Sequence, residues 1–77
     1  MSRTFQDSNL LKWEAYASGG KHGYADKARI VFHCLSDRGR RARVVQLTGD
    51  QSEAERTVAD ASEAQLAQLL AGAAELD

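Results

Sequence analysis

The chain has 77 residues, a formal net charge of −1 and a single cysteine. That length makes one domain, residues 1–77, which buries only about 60% of its unfolded surface. The lone thiol excludes an internal disulfide, and the apolar share of 43% contains thirteen alanines, so large core side chains are few; scaffolds this thin draw on a metal or on self-association instead.

In chain order, Thr4-Phe5-Gln6 reads as a short strand and Asp7-Ser8-Asn9 as turn chemistry. Residues 10–17 alternate: Leu11, Trp13 and Ala15 on one side, Leu10, Lys12, Glu14 and Tyr16 on the other. Such a period of two predicts a strand, with Trp13 as its core anchor. A polar loop follows from Ser18 to Lys27, with Gly19, Gly20 and Gly23. Arg29-Ile30-Val31-Phe32-His33-Cys34-Leu35 is rich in β-branched and aromatic residues and predicts another strand. Ser36-Asp37-Arg38-Gly39 reads as a type I turn with Gly39 in the left-handed position, and the chain returns through residues 41–47.

That turn predicts a register: Cys34 opposite Ala42, His33 opposite Arg43, Phe32 opposite Val44 and Val31 opposite Val45. Ile30, Phe32, Cys34, Ala42 and Val44 then share a core face. Arg29, Val31, His33, Leu35, Arg41, Arg43, Val45 and Leu47 share the other. A slip of one residue would mix the two sets.

Beyond Leu47 the period changes. Asp50-Gln51-Ser52-Glu53 and Ser62-Glu63-Ala64-Gln65 both fit the capping box. Leu66, Leu69, Leu70, Ala73 and Leu76 form one apolar stripe, which predicts a helix from about Glu63 to Glu75. A shorter helix over 51–58 is expected before it, or one long helix, since Ala54, Val58 and Ala61 continue the stripe. The expected fold is α+β: an antiparallel meander of three to four strands with a C-terminal helix on one face.

Charge is distributed unevenly. Residues 1–49 hold nine basic and four acidic side chains, and residues 50–77 hold one basic and seven acidic. Complementarity within the molecule is the simpler account; a basic surface for an anionic partner is the sharper one.

Catalytic signals are weak. His33 and Cys34 are adjacent, but on a strand they point to opposite faces. Two histidines and one cysteine offer no zinc spacing, and the glycines around Lys21 precede a strand, where a phosphate loop needs a helix. No enzyme, cofactor or metal is expected. No apolar run approaches the ~18 residues that span a bilayer, and no secretory leader is legible, so a reducing cytoplasmic setting without a membrane partner is expected.

The stretches Thr4-Phe5-Gln6-Asp7-Ser8, Trp13-Glu14-Ala15 and Ile30-Val31-Phe32-His33-Cys34, with the arginine-rich return, are similar to small bacterial proteins that share a Trp-Glu strand and a Leu-rich terminal helix. No activity attaches to that likeness. Four strands and a terminal helix also resemble the architecture of PC4-like transcriptional coactivators. That resemblance implies a dimer and single-stranded DNA on a basic, aromatic-bearing sheet.

The expected function is a non-catalytic binding module acting through the face of Arg29, Val31, His33, Leu35, Arg41, Arg43, Val45 and Leu47, with a second copy or another protein as partner. The alternative is single-stranded nucleic acid held by Lys21, Arg29, Arg41 and Arg43, with Tyr24 or Tyr16 stacking on bases.

Overall fold

Strands come first in the chain and helices after them: β1 (Ser2–Gln6), β2 (Lys12–Ser18), β3 (Arg29–Cys34), β4 (Arg43–Gln46), α1 (Gln51–Asp60) and α2 (Glu63–Ala71), then a two-residue β5 (Ala74–Glu75). The computed structural model describes residues 2–18, 28–47, 49 and 51–75. The strands form one antiparallel sheet in the order β1-β2-β3-β4-β5. Both helices pack on one face of it, so the α+β meander is present, with β5 as an additional edge.

The first hairpin turns on Asp7. Leu10 N–H donates to the Asp7 carbonyl at 3.1 Å, and Asp7 N–H to the Leu11 carbonyl at 2.9 Å. This is a three-residue loop whose last position needs a left-handed backbone. Leu10 fills it, with φ 66.

The second hairpin departs from its expected turn. Residues 35–42 separate β3 from β4, and Gly39 does not adopt the left-handed region. Leu35 N–H donates to the Lys12 carbonyl, and Lys12 N–H donates to Ser36 Oγ at 2.9 Å. Two residues past β3 are thus held by β2. A tighter turn follows, closed by Arg40 N–H on the Asp37 carbonyl, and by Gly39 N–H on Asp37 Oδ1.

This wider loop changes the pairing by one. Phe32 lies opposite Arg43, Val31 opposite Val44, Ile30 opposite Val45 and Arg29 opposite Gln46. The division expected for β3 holds; that expected for β4 is reversed. Val45 and Leu47 pack against the core, Arg43 lies on the helix-covered side, and Val44 turns to the open face. A single step in pairing exchanges the faces of a whole strand.

The core sits between sheet and helices. Phe5, Trp13, Ile30 and Phe32 meet Ala54 and Val58 of α1 and Leu66 and Leu70 of α2. Phe32, Ile30, Leu66 and Val58 are fully buried. Each such burial stabilises the fold by about 1.5–3 kcal/mol. Phe5 meets Phe32 edge to face, with ring centroids 6.0 Å apart. Ala15 and Ala54 are also fully buried. Their small side chains suit the close approach of α1 to β2.

One long helix does not form. Ser62 takes an extended backbone and caps α2: its Oγ accepts from Gln65 N–H at 3.1 Å, and Gln65 Oε1 accepts from Ser62 N–H at 2.8 Å. The helix expected to reach Glu75 stops at Ala71, before the helix-weakening Gly72. Ala74 then pairs with Val44 and Glu75 with Arg43. The expected cap at Asp50 and the stripe residue Leu76 lie outside the described residues.

Candidate functional site

Helices cover one side of the sheet, so its other side is the first candidate surface. Alternation and register place Lys12, Glu14 and Tyr16 of β2, Arg29, Val31 and His33 of β3, and Val44 of β4 there. A row crosses its middle: Tyr16 opposite Val31, Val31 opposite Val44, and Val44 opposite Ala74. Val31 is 7% exposed although it lies outside the core cluster.

Beside this row sit two rings. Tyr16 and His33 stack with centroids 5.6 Å apart and planes 14° from parallel. The Tyr16 hydroxyl lies 3.1 Å from His33 Nε2. His33 is exposed and Tyr16 half-buried. Glu14 stands opposite His33, and its Oε2 accepts a hydrogen bond from Ser2 Oγ at 3.0 Å. Arg29, half-buried, lies two residues along β3 from Val31 on this face.

The expected site residues divide. Arg29, Val31 and His33 lie together on the open face. Leu35, 47% exposed, sits at its end. Val45 and Leu47 do not belong, because they contact the core. Arg43 does not belong either: its guanidinium reaches the Leu70 carbonyl at 3.4 Å, at the C-terminal end of α2. Arg41 is exposed in the β3–β4 loop. Lys21 and Tyr24 lie outside the described residues. Val44 was hidden from sequence reasoning by the pairing slip. Tyr16 was legible from its alternation against Trp13.

Arg3 serves the helices. Its guanidinium donates to the carbonyls of Val58 (2.9 Å), Ala59 (3.0 Å) and Ala61 (2.9 Å). Neither helix has a base in its own last turn. Arg3 and Arg43 supply positive charge to the two C-terminal ends from the sheet.

The end of the sheet that carries the β1–β2 turn and the β3–β4 loop is the second candidate surface. Asp7 organises it. Its Oδ1 accepts from Asn9 N–H at 2.8 Å and Leu11 N–H at 3.0 Å, and its Oδ2 accepts from Trp13 Nε1 at 2.8 Å. Burial opposes the charged form of Asp7. The bonds from Leu11, Trp13 and Asn9, with the nearby Arg40 charge, outweigh it and hold the carboxyl below its ordinary value. Leu10 is 73% exposed at the tip. A cleft of about 180 Å³ lies beside the turn, lined in part by Asp7, Trp13, Arg40, Arg43 and Leu70. That is below the ~300 Å³ of ordinary small-molecule sites.

An open groove of about 740 Å³ runs between α1 and α2, with Asp60 as the one ionisable side chain among the described residues of its lining. An acid–base pair needs a second such group. His33 faces outward and Cys34 inward, which separates imidazole from thiol. Comparison of the chain with protein-family models, curated proteins and solved structures gives no match.

Proposed function

We propose that the chain is a small non-catalytic binding module that works through the open face of its sheet, and that the ligand of this face is single-stranded nucleic acid. The observation that carries the reading is the stacked Tyr16–His33 pair on the face opposite the helices, with Arg29 nearby. Every base has a π-face, so stacking on such a platform is tolerant of sequence; each stacked base contributes about 1–3 kcal/mol. Arg29 and Lys12 supply charge for the phosphate backbone.

A second copy packed face to face is the other reading. The row Tyr16, Val31, Val44 and Ala74 supports it. It has less apolar surface than the sequence suggested, because Val45 and Leu47 turn inward.

Fluorescence anisotropy with a labelled mixed single-stranded oligonucleotide tests the first reading. Binding is expected at low salt, weakening steeply as salt rises. Tyr16→Ala with His33→Ala should weaken it by about tenfold or more. Sedimentation of the same samples tests the second. A dimer that ignores oligonucleotide and dissociates on Val44→Glu favours self-association, whereas a monomer that binds no oligonucleotide ends both readings.

A further inference from the structure

Two large apolar side chains are strongly exposed among the described residues, Leu10 at 73% and Leu35 at 47%. They sit at the same end of the sheet, one on each loop. Lys12 links them: it is two residues beyond Leu10, and its carbonyl accepts from Leu35 N–H at 2.8 Å. Single exposed leucines are ordinary. Leu10 is less so, because it occupies the left-handed region at φ 66, which disfavours a residue with a Cβ. Glycine or asparagine fits that turn position without the penalty. The turn is tied together by three hydrogen bonds to the Asp7 carboxylate. A leucine presented to water at a strained position costs the fold stability and adds nothing to the core.

Charge surrounds these tips. Arg38, Arg40 and Arg41 are exposed on the β3–β4 loop, and Lys12 is exposed at the foot of the first hairpin. Asp37 pairs with Arg40 at 3.5 Å in an exposed bridge, which is weak. This end of the molecule is therefore apolar at Leu10 and Leu35 and basic around them, with Asp7 and Asp37 beside Arg40. A protruding leucine suits a soft, deformable partner, because a folded protein would need a matching pocket. We propose that this end of the molecule docks on an anionic lipid bilayer, with Leu10 and Leu35 entering between headgroups and the arginines facing lipid phosphates. No helix among the described residues is long and apolar enough to cross a membrane; that bears on spanning and leaves surface docking open. The proposal rests on the loop end of the sheet and makes no use of the Tyr16–His33 pair; Lys12 borders both surfaces.

Co-sedimentation with phosphatidylcholine vesicles, with and without phosphatidylserine, is the test. The chain should pellet with phosphatidylserine vesicles and stay in solution with phosphatidylcholine alone. Leu10→Asn relieves the left-handed strain, so its thermal midpoint should equal or exceed that of the parent. Its partitioning should fall by about tenfold, and further with Leu35→Ser. Failure of the parent chain to bind phosphatidylserine vesicles overturns the proposal. So does binding that needs the arginines and is indifferent to both leucines, since that is adsorption without insertion. Capture by single-stranded oligonucleotide while vesicles are ignored counts for the sheet face and against the loops.

Discussion

At the scale of single residues, Asp7 has the clearest energetic role. One carboxylate closes the first turn through two backbone amides and anchors the Trp13 indole. Its folded pKa lies below the ordinary value, about 3.9 in an unfolded chain. Ionised Asp7 therefore stabilises the fold above that unfolded value, and the contribution is lost as pH falls through the lowered folded one. Asp7→Asn should cost about 1 kcal/mol at neutral pH, since part of the hydrogen bonding survives and the site is wet. Thermal melts of the two proteins from neutral to strongly acid pH should converge at the acid end. Parallel curves would show that the charge plays no part.

Elements show how far local sequence carries. β2 and β3 were legible because period and composition agree: Trp13 and Ala15 share one parity of β2, Ile30 and Phe32 one parity of β3, and all are buried. β4 was not legible. Arg43-Val44-Val45-Gln46 has adjacent valines, so either parity buries one of them and local hydrophobicity is indifferent. What decides is the grip of β2 on Leu35 and Ser36, a contact 24 residues away in sequence at Lys12–Ser36. For the same reason alternation in β3 puts Arg29, Val31 and His33 opposite the helices, as expected, while Val45 and Leu47 lie toward the core. Paired substitutions check this. Val45→Glu forces a charge toward the core and should cost about 2–3 kcal/mol in urea denaturation. Val44→Glu, on the open face, should cost under about 1 kcal/mol. The reverse order would restore the expected pairing. The helix ends make a second case, since their cations come from distant strands. Arg3→Ala leaves three carbonyls without their donor and should cost about 1–2 kcal/mol, more than Arg43→Ala with its single longer bond.

Across the whole molecule, the uneven charge of the chain becomes two-sided in space. Acidic side chains of α1 and α2, such as Glu53, Glu55, Asp60 and Glu63, are exposed on the helix layer. Lys12, Arg29 and His33 lie on the other side of the sheet, and Arg38, Arg40 and Arg41 on the loop at one end. Arg3 and Arg43 complement the helices internally, whereas Arg38, Arg40 and Arg41 are exposed and Arg29 is half-buried. Strand order has a further consequence, for the birth of the protein. The greasy side of the sheet leaves the ribosome ahead of the two helices that shield it. At the usual pace of synthesis that gap lasts roughly 1–5 s. During it Ile30 and Phe32 have no lid, so cellular yield depends on how soon residues 51–71 follow them.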